Sequence, residues 1–196
     1  MARDDEVRLA SAPSVKFTYD DLLNFPDDGK RHEVIEGEHY VTPSPNTKHQ
    51  AVSMNLTRAF ILYLEHHRLG CLFAAPFDVV LSDLDVVEPD LLYISHERAA
   101  TLTEQHVRGA PDLVVEIVSS RTRKTDEITK RKLYERFGVR EYWVVDPDLD
   151  TIKVYTRVDE AFTRAAELST ERGDALTTPL LPDFSVSLVE VFSSPI

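Results

Sequence analysis

Two hydrophobic periodicities run along this chain, and the switch from one to the other locates its elements. In Leu113-Val114-Val115-Glu116-Ile117-Val118 the side chains alternate between the two faces of a strand. Leu113, Val115 and Ile117 share one face; Val114, Glu116 and Val118 share the other. Both faces are apolar except at Glu116, which is how a strand covered on both sides of a sheet reads. From Thr125 to Phe137 there is neither Gly nor Pro, and a period of 3.6 places Lys130, Leu133, Tyr134 and Phe137 on one helical face. Ile128 falls on the opposite side. Thr125 or Asp126 is the expected N-cap, Gly138 the expected stop, and Glu141 to Val145 the next strand.

The same reading covers the rest of the chain. Residues 1–16 are polar and expected to fray, with a single domain over 17–196. Thr18 and Asp21 predict a short capped helix, closed by Pro26-Asp27-Asp28-Gly29. His32 to Ile35 and Glu38 to Val41 flank Glu36-Gly37, a relative of the Asp-Gly hairpin turn. Pro43-Ser44-Pro45-Asn46 precedes a long helix over Thr47 to Arg68, with Val52, Leu56, Ala59, Phe60 and Tyr63 as its apolar stripe and His49 on the same side. Strands are expected at Leu72–Leu81 and Leu91–Ile94, then a polar surface connection over residues 96–108 that is part helical. Antiparallel strands at 151–155 and 161–165 and short apolar segments near 177–181 and 184–191 complete an α/β chain with a mixed sheet.

Composition narrows the class. With 196 residues, 42% hydrophobic and 29% charged, the chain suits one globular domain with a real core. No apolar run approaches the length of a membrane span, and the N-terminus lacks the apolar stretch of a secretory signal. Cys71 is the single cysteine, so an internal disulfide and a cysteine-based zinc cluster are out; its apolar neighbours predict a core position. A cytoplasmic home is expected. The net charge of −12 argues against tight sequence-blind binding to nucleic acid. Around the predicted helix, however, Arg121, Arg123, Lys124, Lys130, Arg131, Lys132, Arg136 and Arg140 outnumber the acids. That basic stretch is either a solvated helix face or a foothold for phosphate.

Two charges on otherwise apolar faces carry the chemistry. A buried carboxylate must be paired, metal-bound or neutralised, so Glu116 needs a partner, and Lys130 is the cation on the apolar stripe of the next helix. Asp90, at the head of a strand, can join them, or it merely caps a turn. Two facing carboxylates repel, and a hard cation such as Mg²⁺ or Mn²⁺ resolves that repulsion. A nearby ammonium suits phosphodiester hydrolysis. Carboxylate pairs also serve glycosidases, where Lys130 would be idle.

The ordered set Val87-Glu88-Pro89-Asp90, Pro111-Asp112-Leu113-Val114-Val115-Glu116-Ile117-Val118-Ser119, Lys130 with Tyr134, Gly138-Val139 and Glu141 to Asp146 resembles the Uma-type putative restriction endonuclease family of the PD-(D/E)xK nuclease superfamily. The likeness extends upstream through His32 to Pro45 and His49. It implies a restriction-endonuclease-like fold, a mixed β-sheet flanked by α-helices, here with an N-terminal hairpin extension. It implies Asp90 and Glu116 as metal ligands. Val118 stands where the superfamily has its lysine, and Lys130 matches a position to which this family is thought to have moved it. Glu33 and His49 match family positions near the site, as an added ligand or a proton carrier.

Two functions follow as expectations. One is a Mg²⁺- or Mn²⁺-dependent endonuclease acting on DNA, with Asp90, Glu116 and Lys130 catalytic and a homodimer as one way to cut a duplex. The other is a non-catalytic module of degenerate nuclease fold, used in protein interaction or dimerisation, with Tyr142 and Trp143 at its interface. If the pair Glu116–Lys130 is purely structural, it should be buried with no cavity opening between Asp90 and Glu116.

Overall fold

The computed structural model describes residues 15–42 and 44–194; of the segment 1–16 expected to fray, residues 1–14 lie outside them, and Lys16 is held by a hydrogen bond from Nζ to Glu36 O. The short helix α1 (Tyr19–Leu22) carries the predicted capping box on Thr18. The strands β1 (Arg31–Ile35) and β2 (Glu38–Thr42) form the predicted hairpin. Its two turn residues, Glu36 and Gly37, have φ of 54° and 76°, as a two-residue turn matched to strand twist requires. The long helix α2 (Thr47–His66) is capped by Asn46, whose side chain accepts from His49 N at 2.9 Å.

The expected strand over 72–81 is two strands in different sheets. β3 (Gly70–Ala74) ends two residues before Pro76, and β4 (Val79–Ser82) pairs with β5 (Asp85–Val87) and β7 (Val107–Arg108). A proline has no N–H to continue a ladder, so the chain changes sheets there. β6 (Leu91–Ser95) follows, then a 3₁₀ turn over His96–Thr101. Cys71 is exposed, correcting the core expectation: β3 is the outermost strand of its sheet, where apolar neighbours in sequence do not guarantee cover.

β8 (Leu113–Ile117) and β9 (Glu141–Asp146) are parallel neighbours. A parallel pair needs a crossover, and the helix between them provides it. That helix does not start at a Thr125 or Asp126 cap. Winding begins at Ser119, whose O and Oγ accept from Arg123 N and Thr122 N. A π-helical turn over Thr125–Lys130 then continues into α3 (Arg131–Phe137). Gly138, at φ 81°, ends it as expected.

β10 (Thr151–Val158) and β11 (Ala161–Ser169) complete a central sheet of order β11-β10-β9-β8-β6-β3. A second sheet, β2-β1-β5-β4-β7, takes up the N-terminal hairpin. β12 (Ala175–Thr177), β13 (Ser185–Ser187) and α4 (Leu188–Val191) form a small C-terminal unit. Among the described residues, no helix is long and apolar enough to cross a membrane.

The central sheet is covered on both faces, as the sequence of β8 predicts. On one side Val115, Ile117, Trp143 and Val145 pack against Val52, Leu56 and Phe60 of α2 and against the C-terminal unit. On the other, Val114, Val118, Tyr142 and Val144 pack against Leu133 and Tyr134 and against Ile35, Val79, Val87 and Val107 of the second sheet. Tyr142 and Trp143 are fully buried, which removes them as an interaction surface. Glu116 belongs to the second face, where crossover helix and hairpin meet.

Candidate functional site

Strand register brings the two carboxylates together. β6 and β8 pair antiparallel with Leu91 opposite Val115, and one further step sets Asp90 against Glu116 on the same face. The Ile117 amide donates to Asp90 Oδ2 at 2.7 Å, fixing the head of β6 to the end of β8. His49, from the first turn of α2, approaches the same oxygen with Nε2 at 3.2 Å. Its Nδ1 is buried and has no hydrogen-bond partner among the described residues.

Lys130 meets Glu116 as the helical stripe predicts, but it is shared. Its Nζ lies 3.0 Å from Glu116 Oε1, 2.7 Å from Glu33 Oε1 and 3.8 Å from Asp126 Oδ1. Tyr134, one turn on, donates its hydroxyl to Glu116 Oε1 at 2.7 Å. Both donors fall on the same oxygen of Glu116. Glu33 reaches the group from β1 and also accepts from Glu88 N at 2.9 Å. Arg31, two residues earlier on the same strand face, places Nη1 2.9 Å from Asp90 Oδ1 and Nε 2.7 Å from Glu88 Oε1.

All five residues named from the sequence, Asp90, Glu116, Lys130, Glu33 and His49, therefore stand in one connected cluster. Arg31, Asp126 and the role of Tyr134 were missed. The signals were present: Arg31 and Glu33 alternate along one strand face, and Asp126 lies one turn before Lys130. Lys130 and Glu116 are 3% and 2% exposed, yet a 670 Å³ cavity opens beside them, walled by Arg31, His49, Glu88, Asp90, Glu116 and Lys130. The pair is buried, as a purely structural pair would be, but a cavity lined by Asp90 and Glu116 opens beside it. Ser119 to Thr122 and Lys30 also line that cavity.

Acid outweighs base in this space. Glu33, Glu88, Asp90, Glu116 and Asp126 face Lys130 and Arg31. Burial pushes the Glu116 carboxyl up to about 8 against the opposing pull of Lys130, and Asp126, Asp90 and Glu33 add to the rise. Asp126 is raised to about 6, again chiefly by burial. Burial works against the Lys130 charge, but Glu116, Glu33 and Asp126 outweigh it and hold the ammonium above its ordinary range. A salt bridge alone would lower Glu116; one ammonium divided among three carboxylates does not compensate its desolvation. Asp90 is also desolvated, yet His49, Arg31 and the Ile117 amide hold its carboxyl below the ordinary value.

Among the described residues no three His, Cys, Asp or Glu side chains stand arranged as a metal cluster. The donor chemistry nonetheless fits a hard divalent cation: carboxylate oxygens at a cavity wall with uncompensated negative charge. Of the Asp90 oxygens, Oδ2 is held by the backbone and Oδ1 by Arg31, while Oε2 of Glu116 receives no hydrogen bond from a described residue.

A crystal structure of a putative nuclease belonging to DUF820 from Anabaena variabilis ATCC 29413 is similar over 90% of this chain and 97% of that one, with a TM-score of 0.74 and 21% identity. At that identity the likeness establishes the fold. The type IIG restriction endonuclease BpuSI overlaps 74% of this chain and 15% of its own length, with a TM-score of 0.40 and 12% identity, too slight a likeness to argue from. A comparison with curated proteins returns no match. A family model described as "Uma2: Putative restriction endonuclease" matches residues 19–189, a span that contains every residue of the cluster. The chain belongs to the Uma2 family of putative restriction endonucleases.

Proposed function

We propose that this protein is a divalent-metal-dependent endonuclease that hydrolyses phosphodiester bonds of DNA at the cavity beside Asp90 and Glu116. The observation that carries the reading is the cavity itself, where strand register sets two buried carboxylates side by side with a lysine at hydrogen-bond distance. Asp90 and Glu116 would hold Mg²⁺ or Mn²⁺, which when bound polarises a phosphoryl oxygen and lowers the pKa of water. Lys130 keeps its proton, so it is not a general base. It orients Glu116 through Oε1 and adds positive potential where the phosphorane develops charge. Tyr134 fixes the same oxygen. Glu33 holds Lys130 in place, and His49 positions Asp90. Hydrolysis adds the water oxygen to phosphorus as the bridging oxygen departs with a proton from the solvated cavity.

A second reading, a non-catalytic nuclease-fold module, draws on the near-complete burial of the Lys130–Glu116 pair. Plasmid cleavage with Mg²⁺ or Mn²⁺ separates the two. Wild type is expected to cut, and Glu116→Ala and Lys130→Ala to lose cutting; cleavage unchanged in both variants would refute the first reading. Mn²⁺ should also raise the melting temperature of wild type but not of Asp90→Ala, because a ligand at 100 times its Kd stabilises by about 2.7 kcal/mol. Equal shifts in both would put the ion elsewhere.

A further inference from the structure

We propose that Arg31 is an exchangeable counter-cation, seated on Asp90 and transferred to a substrate phosphate when Asp90 takes up an ion. The inference rests on the metal-dependent reading of the cavity. Three observations lead to it. Asp90 Oδ2 is committed to the Ile117 amide and His49, so Oδ1 is the oxygen a cation would compete for, and Arg31 Nη1 occupies it at 2.9 Å. A cation entering at Asp90 has to displace that contact.

The second observation is that Arg31 can leave and Lys130 cannot. The Lys130 side chain is 4% exposed and lies against Glu33, Glu116 and Asp126, whereas that of Arg31 is 18% exposed and borders the cavity. The β1 backbone is held between β2 and β5, so exchange requires only side-chain rotation.

The third is a tether. Arg31 Nε stays 2.7 Å from Glu88 Oε1, and Glu88 is itself fixed through its N–H to Glu33. With Nε held, Nη1 can move from one anion to another while the guanidinium remains in the cavity. A planar fork of donors, permanently charged, is the group suited to two oxygens of a phosphodiester. Thus the same charge that shields Asp90 before the ion arrives would bind the substrate's phosphate afterwards.

The test is calorimetric titration with Mn²⁺ alone, on wild type, Arg31→Met and Arg31→Lys, followed by steady-state cleavage of a duplex oligonucleotide. Removing a like charge from the ion's neighbourhood is expected to tighten Mn²⁺ binding in Arg31→Met by about tenfold or more, with KM for the duplex raised more than kcat is lowered. Arg31→Lys, which keeps the charge without the fork, should bind Mn²⁺ like wild type yet still show the raised KM. It also serves if Arg31→Met fails to fold. Mn²⁺ binding unchanged or weakened in Arg31→Met, or KM unchanged in both variants, overturns the exchange. Folded wild type and variants that all fail to bind Mn²⁺ would overturn the metal-dependent reading itself, and the exchange with it.

Discussion

Replacing Lys130 by Met keeps most of the unbranched side chain and removes its charged end. The ammonium now sits 2.7 Å from Glu33, 3.0 Å from Glu116 and 3.8 Å from Asp126, all within the protein interior. Removing one partner of a buried ion pair typically costs about 3–5 kcal/mol. Part of that is offset here. Glu116 and Asp126, already raised to about 8 and about 6, can take up protons once the cation is gone. The lower end, about 3 kcal/mol, is therefore expected. In a domain of this size each kcal/mol moves the melting temperature by about 2–4 °C, so Lys130→Met should melt about 6–12 °C lower. Glu116→Gln introduced into Lys130→Met removes the carboxylate left without a partner, and the double variant should melt several degrees above the single one. Thermal melts followed by circular dichroism at neutral pH make the comparison. A single variant within about 2 °C of wild type, or a double variant with strictly additive losses, would refute a shared charge cluster.

The raised carboxyls also set a pH dependence. A carboxyl whose folded pKa exceeds its unfolded value binds protons more readily in the native state, so its stabilising contribution is lost as pH rises through the folded value. For Glu116 that window runs from its ordinary value of 4.5 to about 8. In urea melts, wild type should lose stability relative to Glu116→Gln between about pH 5.5 and pH 8; a constant difference would contradict the raised Glu116. Tyr134→Phe leaves Glu116 Oε1 without its 2.7 Å hydroxyl donor and should cost about 1–2 kcal/mol, with kcat for cleavage falling as Glu116 loses its orientation. Unchanged stability would mean that solvent replaces the hydroxyl. Phe60→Ala empties a position flanked by Phe184 and Trp143 at 4.9 and 5.7 Å, on the face of the sheet away from the cluster, and should cost about 3–5 kcal/mol. Cleavage measured well below its melting temperature should persist; abolished cleavage in the folded variant would show that the two faces are coupled.

Legibility in the chain followed the range of the interactions. The period-two run of β8 was enough to show a strand buried on both faces, with Glu116 as its exception. The period of 3.6 put Lys130 on the same side as Leu133 and Tyr134. Glu36-Gly37 announced a tight hairpin and Gly138 a helix end, because backbone conformation there depends on the residues themselves. Burial and facing direction are local properties, so local pattern reports them.

What covers a buried face is not local. Lys130 and Glu33 are 97 residues apart in the chain, and Arg31 and Asp90 are 59 apart. Only the pairing of β1 with β5 and the seating of the crossover helix against the hairpin bring them within hydrogen-bond distance. Cys71 and the divided strand at Pro76 were misread for the same reason: edge position and change of sheet are decided by neighbours distant in sequence. By itself the sequence determined that Glu116 and Lys130 are charges placed where an interior should be apolar. The tertiary structure decided that they share one space with Asp90, Asp126, Glu33 and Arg31, so that an apparent ion pair is part of a larger group in which carboxylates outnumber cations. Desolvation then raises Glu116 despite its lysine, because a single ammonium cannot neutralise three carboxylates at once.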